Sequence, residues 1–174
     1  MGRSTGTGHV IGKIPDSSFD LFGIRYRRVL ARFWSGRSAI TYSGGLVGAR
    51  LTIPEAARPE RRDRTKPVGR FRSTGLGITP FGVEWTPAAT ARVQPFLSAH
   101  GGFVYFFDPV PDRQGKRLNF TASMGAGLHV RVAETTLLTL GYRYHHTSNG
   151  FRGQINPGVD ANLVYVGVTR LLGL

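Results

Sequence analysis

Leu118-Asn-Phe-Thr-Ala-Ser-Met-Gly-Ala-Gly-Leu-His-Val-Arg-Val132 is the stretch from which the fold can be read. Phe120, Ala122, Met124, Ala126, Leu128, Val130 and Val132 alternate with Asn119, Thr121, Ser123, Gly125, Gly127, His129 and Arg131. Successive side chains of a β-strand point to opposite faces, so this segment has one apolar face and one small or polar face.

The same period recurs upstream, where Val93, Pro95, Leu97, Ala99, Phe103, Tyr105 and Phe107 oppose Arg92, Gln94, Ser98, His100 and Gly102. Further strands are predicted at about 18–33, 37–53, 70–86, 135–148 and 160–172. Strands of up to about 17 residues exceed the five or six usual in soluble sheets. Short turns are predicted at Ser35-Gly36, near Pro87 and at Ala133-Glu134, and long connections at about 54–69, 108–117 and 149–159. Short and long connections in alternation describe an all-β, antiparallel up-and-down membrane β-barrel. Its long loops all fall at one end, which by the outer-membrane rule is the external one.

Seven strands are clear, whereas single-chain bacterial barrels have an even number, about eight here. Residues 1–16 are therefore expected to be an N-terminal tail or an incomplete first strand, and 17–174 the barrel domain. A soluble barrel of lipocalin type has the same period with its apolar face turned inward. Glycines among polar neighbours on the second face favour the membrane orientation.

The 174 residues suffice for one such domain. Without cysteine there is neither a disulfide framework nor a thiolate metal site. The start lacks the apolar core of a signal peptide, so an exported form is expected to begin upstream of Met1. Twenty-three Lys and Arg against ten Asp and Glu give a net charge of +13 and imply an anionic partner. No RRM, KH or zinc-finger pattern accompanies the basic residues, so no nucleic-acid partner is expected. His145 and His146 diverge as strand neighbours, and no metal or other cofactor is expected.

The chemistry concentrates in Gly141-Tyr-Arg-Tyr-His-His-Thr-Ser-Asn-Gly150 and Asn156-Pro-Gly-Val-Asp160. Residues two apart on a strand share a face at roughly 6.5 to 7 Å, which puts His146 beside Ser148. Leu138, Leu140, Tyr142 and Tyr144 assign that face to the apolar, lipid-facing side. Asp160 shares parity with Val164, Val166 and Val168 and emerges on the same outer face of the following strand. An imidazole between a hydroxyl and a carboxylate is the arrangement that activates a serine.

His146-Thr-Ser148-Asn, an acid twelve residues after the serine and a closing strand resemble the signature of the lipid A 3-O-deacylase (PagL-like) / acyloxyacyl hydrolase family. Leu118-Asn-Phe-Thr and Gly125-Ala-Gly-Leu resemble the strand that precedes it there. The resemblance implies an outer-membrane serine esterase in residues 17–174 that removes an ester-linked 3-hydroxyacyl chain from lipid A of lipopolysaccharide. It further implies Ser148 as nucleophile, His146 as general base and Asp160 as orienting acid, where the family's best-known members carry glutamate. Asn156 is the preferred oxyanion donor, helped by backbone N–H groups near Gly150, with Asn149 the alternative. A non-catalytic outer-membrane or lipid-binding barrel is the competing expectation. Arg58 to Arg72 is read as an external loop able to meet phosphates.

Overall fold

The computed structural model describes residues 1–6, 11–12, 14, 17–54 and 69–172. The Arg-rich run from Arg58 thus lies largely outside the described residues, Arg61 included; of its described residues Arg70 and Arg72 enter a strand. Among the described residues eight antiparallel strands follow one another around a closed barrel. They are β1 (Gly2–Gly6), β2 (Ser18–Phe33), β3 (Ser38–Pro54), β4 (Arg70–Thr86), β5 (Val93–Val110), β6 (Lys116–Ala133), β7 (Thr136–Ser148) and β8 (Val159–Arg170). The seven strands read from the sequence are β2 to β8, and the eighth is the short β1 ahead of Asp16. β1 pairs with β2 through Gly2 and Leu21 and with β8 through Gly2 and Tyr165, which joins the ends of the meander.

The outward face is apolar, as its period requires. Ile24, Leu46, Leu76, Met124, Leu140 and Val168 all project away from the lumen and are exposed. Strands β2 to β8 run for 12 to 18 residues, more than the tilted 9 to 11 that cross a bilayer. A sheet with this surface is a membrane barrel, since lipid is the solvent that accepts an apolar exterior and a barrel pairs its backbone groups strand to strand.

The lumen has two zones. At the end carrying the long loops, Phe19, Leu51, Ile53, Val104, Phe106, Val110, Val159 and Leu163 pack into an apolar plug. Phe19 and Phe106 meet edge to face with ring centroids 6.3 Å apart. Towards the short turns the inner wall is polar. There Arg27 pairs with Glu84, whose carboxylate also lies 3.0 Å from His129 Nε2, and His129 Nδ1 contacts Thr139 Oγ1 at 2.8 Å. Buried ionic groups need partners of this kind, and this cluster ties together four strands, β2, β4, β6 and β7, from within the lumen.

The connections that carry Arg113 and Arg152 open at the same end as Ser148, as the meander requires. Leu140 tests the inside-out assignment, since it points outward between Leu128 and Val166. Leu140→Arg is expected to cost about 2–4 kcal/mol in lipid vesicles. Denaturant unfolding monitored by tryptophan fluorescence measures it, and unchanged stability would take this face out of the bilayer.

Candidate active site

β7 ends at Ser148, and the chain returns to β8 through residues 149–158. Two consecutive residues of this loop, Gly150 and Phe151, adopt left-handed backbone, with φ of +63° and +59°. Asn149 organises it from a fully enclosed position. Its backbone N–H donates to Asn156 Oδ1 at 2.9 Å, and its side-chain Nδ2 donates to the Ile155 carbonyl at 2.7 Å. Arg152 closes the loop from outside by stacking 4.5 Å from the Phe120 ring centroid and donating to the Leu118 carbonyl at 2.8 Å. With its amide spent inside the loop, Asn149 is placed as a scaffold residue. Asn156 accepts through Oδ1 and keeps Nδ2 as the donor end of its amide, in a crevice that Ser148, Pro157 and Gly158 also line.

The loop is the right length to bring His146 directly opposite Asp160 in the β7–β8 ladder. Facing residues of an antiparallel pair have Cβ atoms about 4.5–5.5 Å apart, a distance that an aspartate spans without strain. His146 Nδ1 and Asp160 Oδ1 are 2.7 Å apart. The outward parity of this pair is that of Tyr142, Tyr144 and Val164, while His145 and Thr147 point into the lumen and hydrogen-bond each other at 3.1 Å. Ser148 faces outward with Phe120, its partner on β6. Among the described residues its hydroxyl makes no hydrogen bond to the His146 ring, whose side-chain partner is Asp160.

Asp160 is only 1 % exposed although it sits on the outer wall. Tyr144 flanks it on β7, and Ile11 and Gly12, between β1 and β2, lie against it. Ile11 N–H and Gly12 N–H both donate to Asp160 Oδ2, at 2.8 and 2.7 Å. Sequence reading passed over these donors, because a backbone N–H leaves no trace in residue identity. It also assigned no role to Gly158. Gly158 has φ of +67°, and a Cβ there would stand 2.8 Å from His146 Cε1, so the ring occupies space that only glycine leaves open.

Gly158→Ala is accordingly expected to displace the imidazole from Asp160 while the barrel still forms. A changed His146 ring resonance in detergent-solubilised protein, with heat-modifiable gel mobility retained, is the expected result. An unaltered resonance would show that Gly158 does not set the ring.

A solved structure titled as the outer membrane enzyme PagL superimposes on 98 % of this chain and 97 % of its own length, with a TM-score of 0.66 and 17 % identity. At that identity the likeness concerns the fold, and it is the barrel described above. Comparison with the curated proteins finds no match. The sequence model of the lipid A 3-O-deacylase family matches residues 22–169, a span that contains the β7–β8 ladder up to the Leu137–Thr169 pair and every residue of the His146, Ser148 and Asp160 constellation. By that match over most of its length, the chain belongs to the lipid A 3-O-deacylase (PagL) family.

Proposed function

We propose that the protein is a serine esterase of the bacterial outer membrane that removes the ester-linked 3-hydroxyacyl chain of lipid A, with Ser148, His146 and Asp160 as its triad. The observation that carries this reading is the His146–Asp160 pair at 2.7 Å on a lipid-facing wall. Ionisable groups at such a surface are costly and stay where function requires them.

In this mechanism Asp160 holds the imidazole through Nδ1–H, which leaves Nε2 as the base. Rotation about the Ser148 side chain brings its hydroxyl to Nε2; catalytic contacts of this kind tighten when substrate is bound. Ser148 Oγ then attacks the ester carbonyl as its proton passes to His146. The charge that develops on the carbonyl oxygen is met by Asn156 Nδ2 and the Gly150 N–H. Collapse expels the sugar hydroxyl, protonated by His146, and leaves the acyl group on Ser148. Water, deprotonated by the same imidazole, releases the fatty acid and restores the serine.

The site's position suits that substrate. It opens on the outer wall at the end of the long loops, where an acyl chain can stay among lipids while its ester meets the serine. The basic residues at that end, Lys116 and Arg117 among them, favour a phosphorylated headgroup over a neutral one.

Release of 3-hydroxy fatty acid from lipopolysaccharide by purified protein in detergent, followed by mass spectrometry, tests the activity. Ser148→Ala and His146→Ala should each lower it about 10³-fold or more, and Asp160→Asn should leave measurable turnover. The Ser148→Ala/His146→Ala double variant should be scarcely worse than either single one, because members of one catalytic unit are not additive. Wild-type release by folded Ser148→Ala would leave a non-enzymatic lipid-binding barrel as the better reading.

A further inference from the structure

We propose that the Ile11–Gly12 backbone is a positioning clamp that holds the Asp160 carboxylate in the orientation required by His146. The inference rests on the triad reading above and assigns a role to a segment outside both catalytic strands.

A carboxylate that is 1 % exposed has no water to satisfy it and must find donors in the protein. Asp160 divides its two oxygens. Oδ1 takes the imidazole, and Oδ2 takes two successive backbone N–H groups. A carboxylate bound at one oxygen alone can swing about its Cβ–Cγ bond, whereas donors at both oxygens fix the plane of the group. Oδ1 is thereby kept on the His146 Nδ1 axis before substrate arrives, and the imidazole is kept in the tautomer with Nε2 free.

The clamp is anchored from both sides. On one side β1 is hydrogen-bonded to β2 and to β8. On the other, the Ile14 side chain is 2 % exposed and packs in the apolar plug with Phe19, Leu51 and Val159. The Ile11 and Gly12 N–H groups are thus on the outer wall, where Asp160 sits, and the Ile14 side chain is in the lumen. Its closeness to the acid also explains a second glycine. A Cβ on Gly12 would lie 2.8 Å from the Asp160 backbone nitrogen and 2.9 Å from Oδ1. Ile11, in contrast, is exposed, so its side chain does not create the contact.

Proline removes an N–H without touching Asp160, and alanine at the same place keeps the N–H while removing the side chain. Ile11→Pro should lower kcat about tenfold with KM little changed, and Ile11→Ala should match the wild type. In an Asp160→Ala background Ile11→Pro should have no further effect. Gly12→Ala keeps both donors but crowds the carboxylate, and it should also lower kcat. It provides the second test should Ile11→Pro fail to assemble into a heat-modifiable barrel.

A readout independent of turnover is the downfield Nδ1–H proton of His146, identified by its loss in His146→Ala. This resonance should persist in Ile11→Ala and be broadened by solvent exchange in Ile11→Pro or Gly12→Ala. Persistence of the resonance in both variants, or equal activity of Ile11→Pro and Ile11→Ala, overturns the clamp. Full activity of Ser148→Ala with the resonance behaving as expected overturns the serine reading instead and leaves the clamp as a property of the His146–Asp160 pair.

Discussion

The ladder between neighbouring strands, which pairs backbone amides that would otherwise face lipid, is the constraint on which the rest of this molecule depends. Inside a bilayer an unsatisfied N–H or C=O costs several kcal/mol, and a β-chain avoids that cost only by closing on itself. The meander from β2 to β8 supplies consecutive ladders, and the brief β1 joins the two ends. Once the ladders are fixed, so is the direction of every side chain. His146 and Asp160 become partners because the ladder makes them partners, and the ten residues between the two strands have only to preserve that register.

The two-zone lumen gives the rim its rigidity. An apolar plug beneath the loops means that the end of the barrel carrying the His146–Asp160 pair rests on packed side chains rather than on water. Val159, Ala161 and Leu163 belong to that plug, while Asp160 and Asn162 between them look outward. Asn162 Oδ1 in turn accepts from Tyr142 at 2.6 Å. The strand that presents the acid is therefore pinned from the inside by hydrophobic contacts and from the outside by polar ones, which suits a group that must not move.

The strands were legible because period two is a strong signal when lipid selects one face and a small or polar lumen the other. Bounds read from alternation fall within about three residues of those observed. The signal weakens where both faces are apolar. In Phe103-Val-Tyr-Phe-Phe107 the inward Val104 and Phe106 join the plug, so the segment reads as a continuous apolar run. It is faint again in β1, whose five residues include two glycines and no large apolar side chain. At the site, parity alone placed His146, Ser148 and Asp160 on one wall. What stayed hidden was whatever the backbone provides: the N–H pair of Ile11 and Gly12, the φ of Gly158, and the enclosed role of Asn149. Those depend on how distant segments meet, which no local pattern encodes.

The strict alternation of β7 also limits how such sequences can diverge. Loss or gain of a single residue between Gly141 and His145 would exchange the two walls beyond it, sending His146 and Ser148 into the lumen and turning His145 and Thr147 towards lipid. The same change in an external loop leaves every strand facing as before. The strand is thus a reading frame, and the external loops are its untranslated margins, except for 149–158, whose length keeps His146 opposite Asp160.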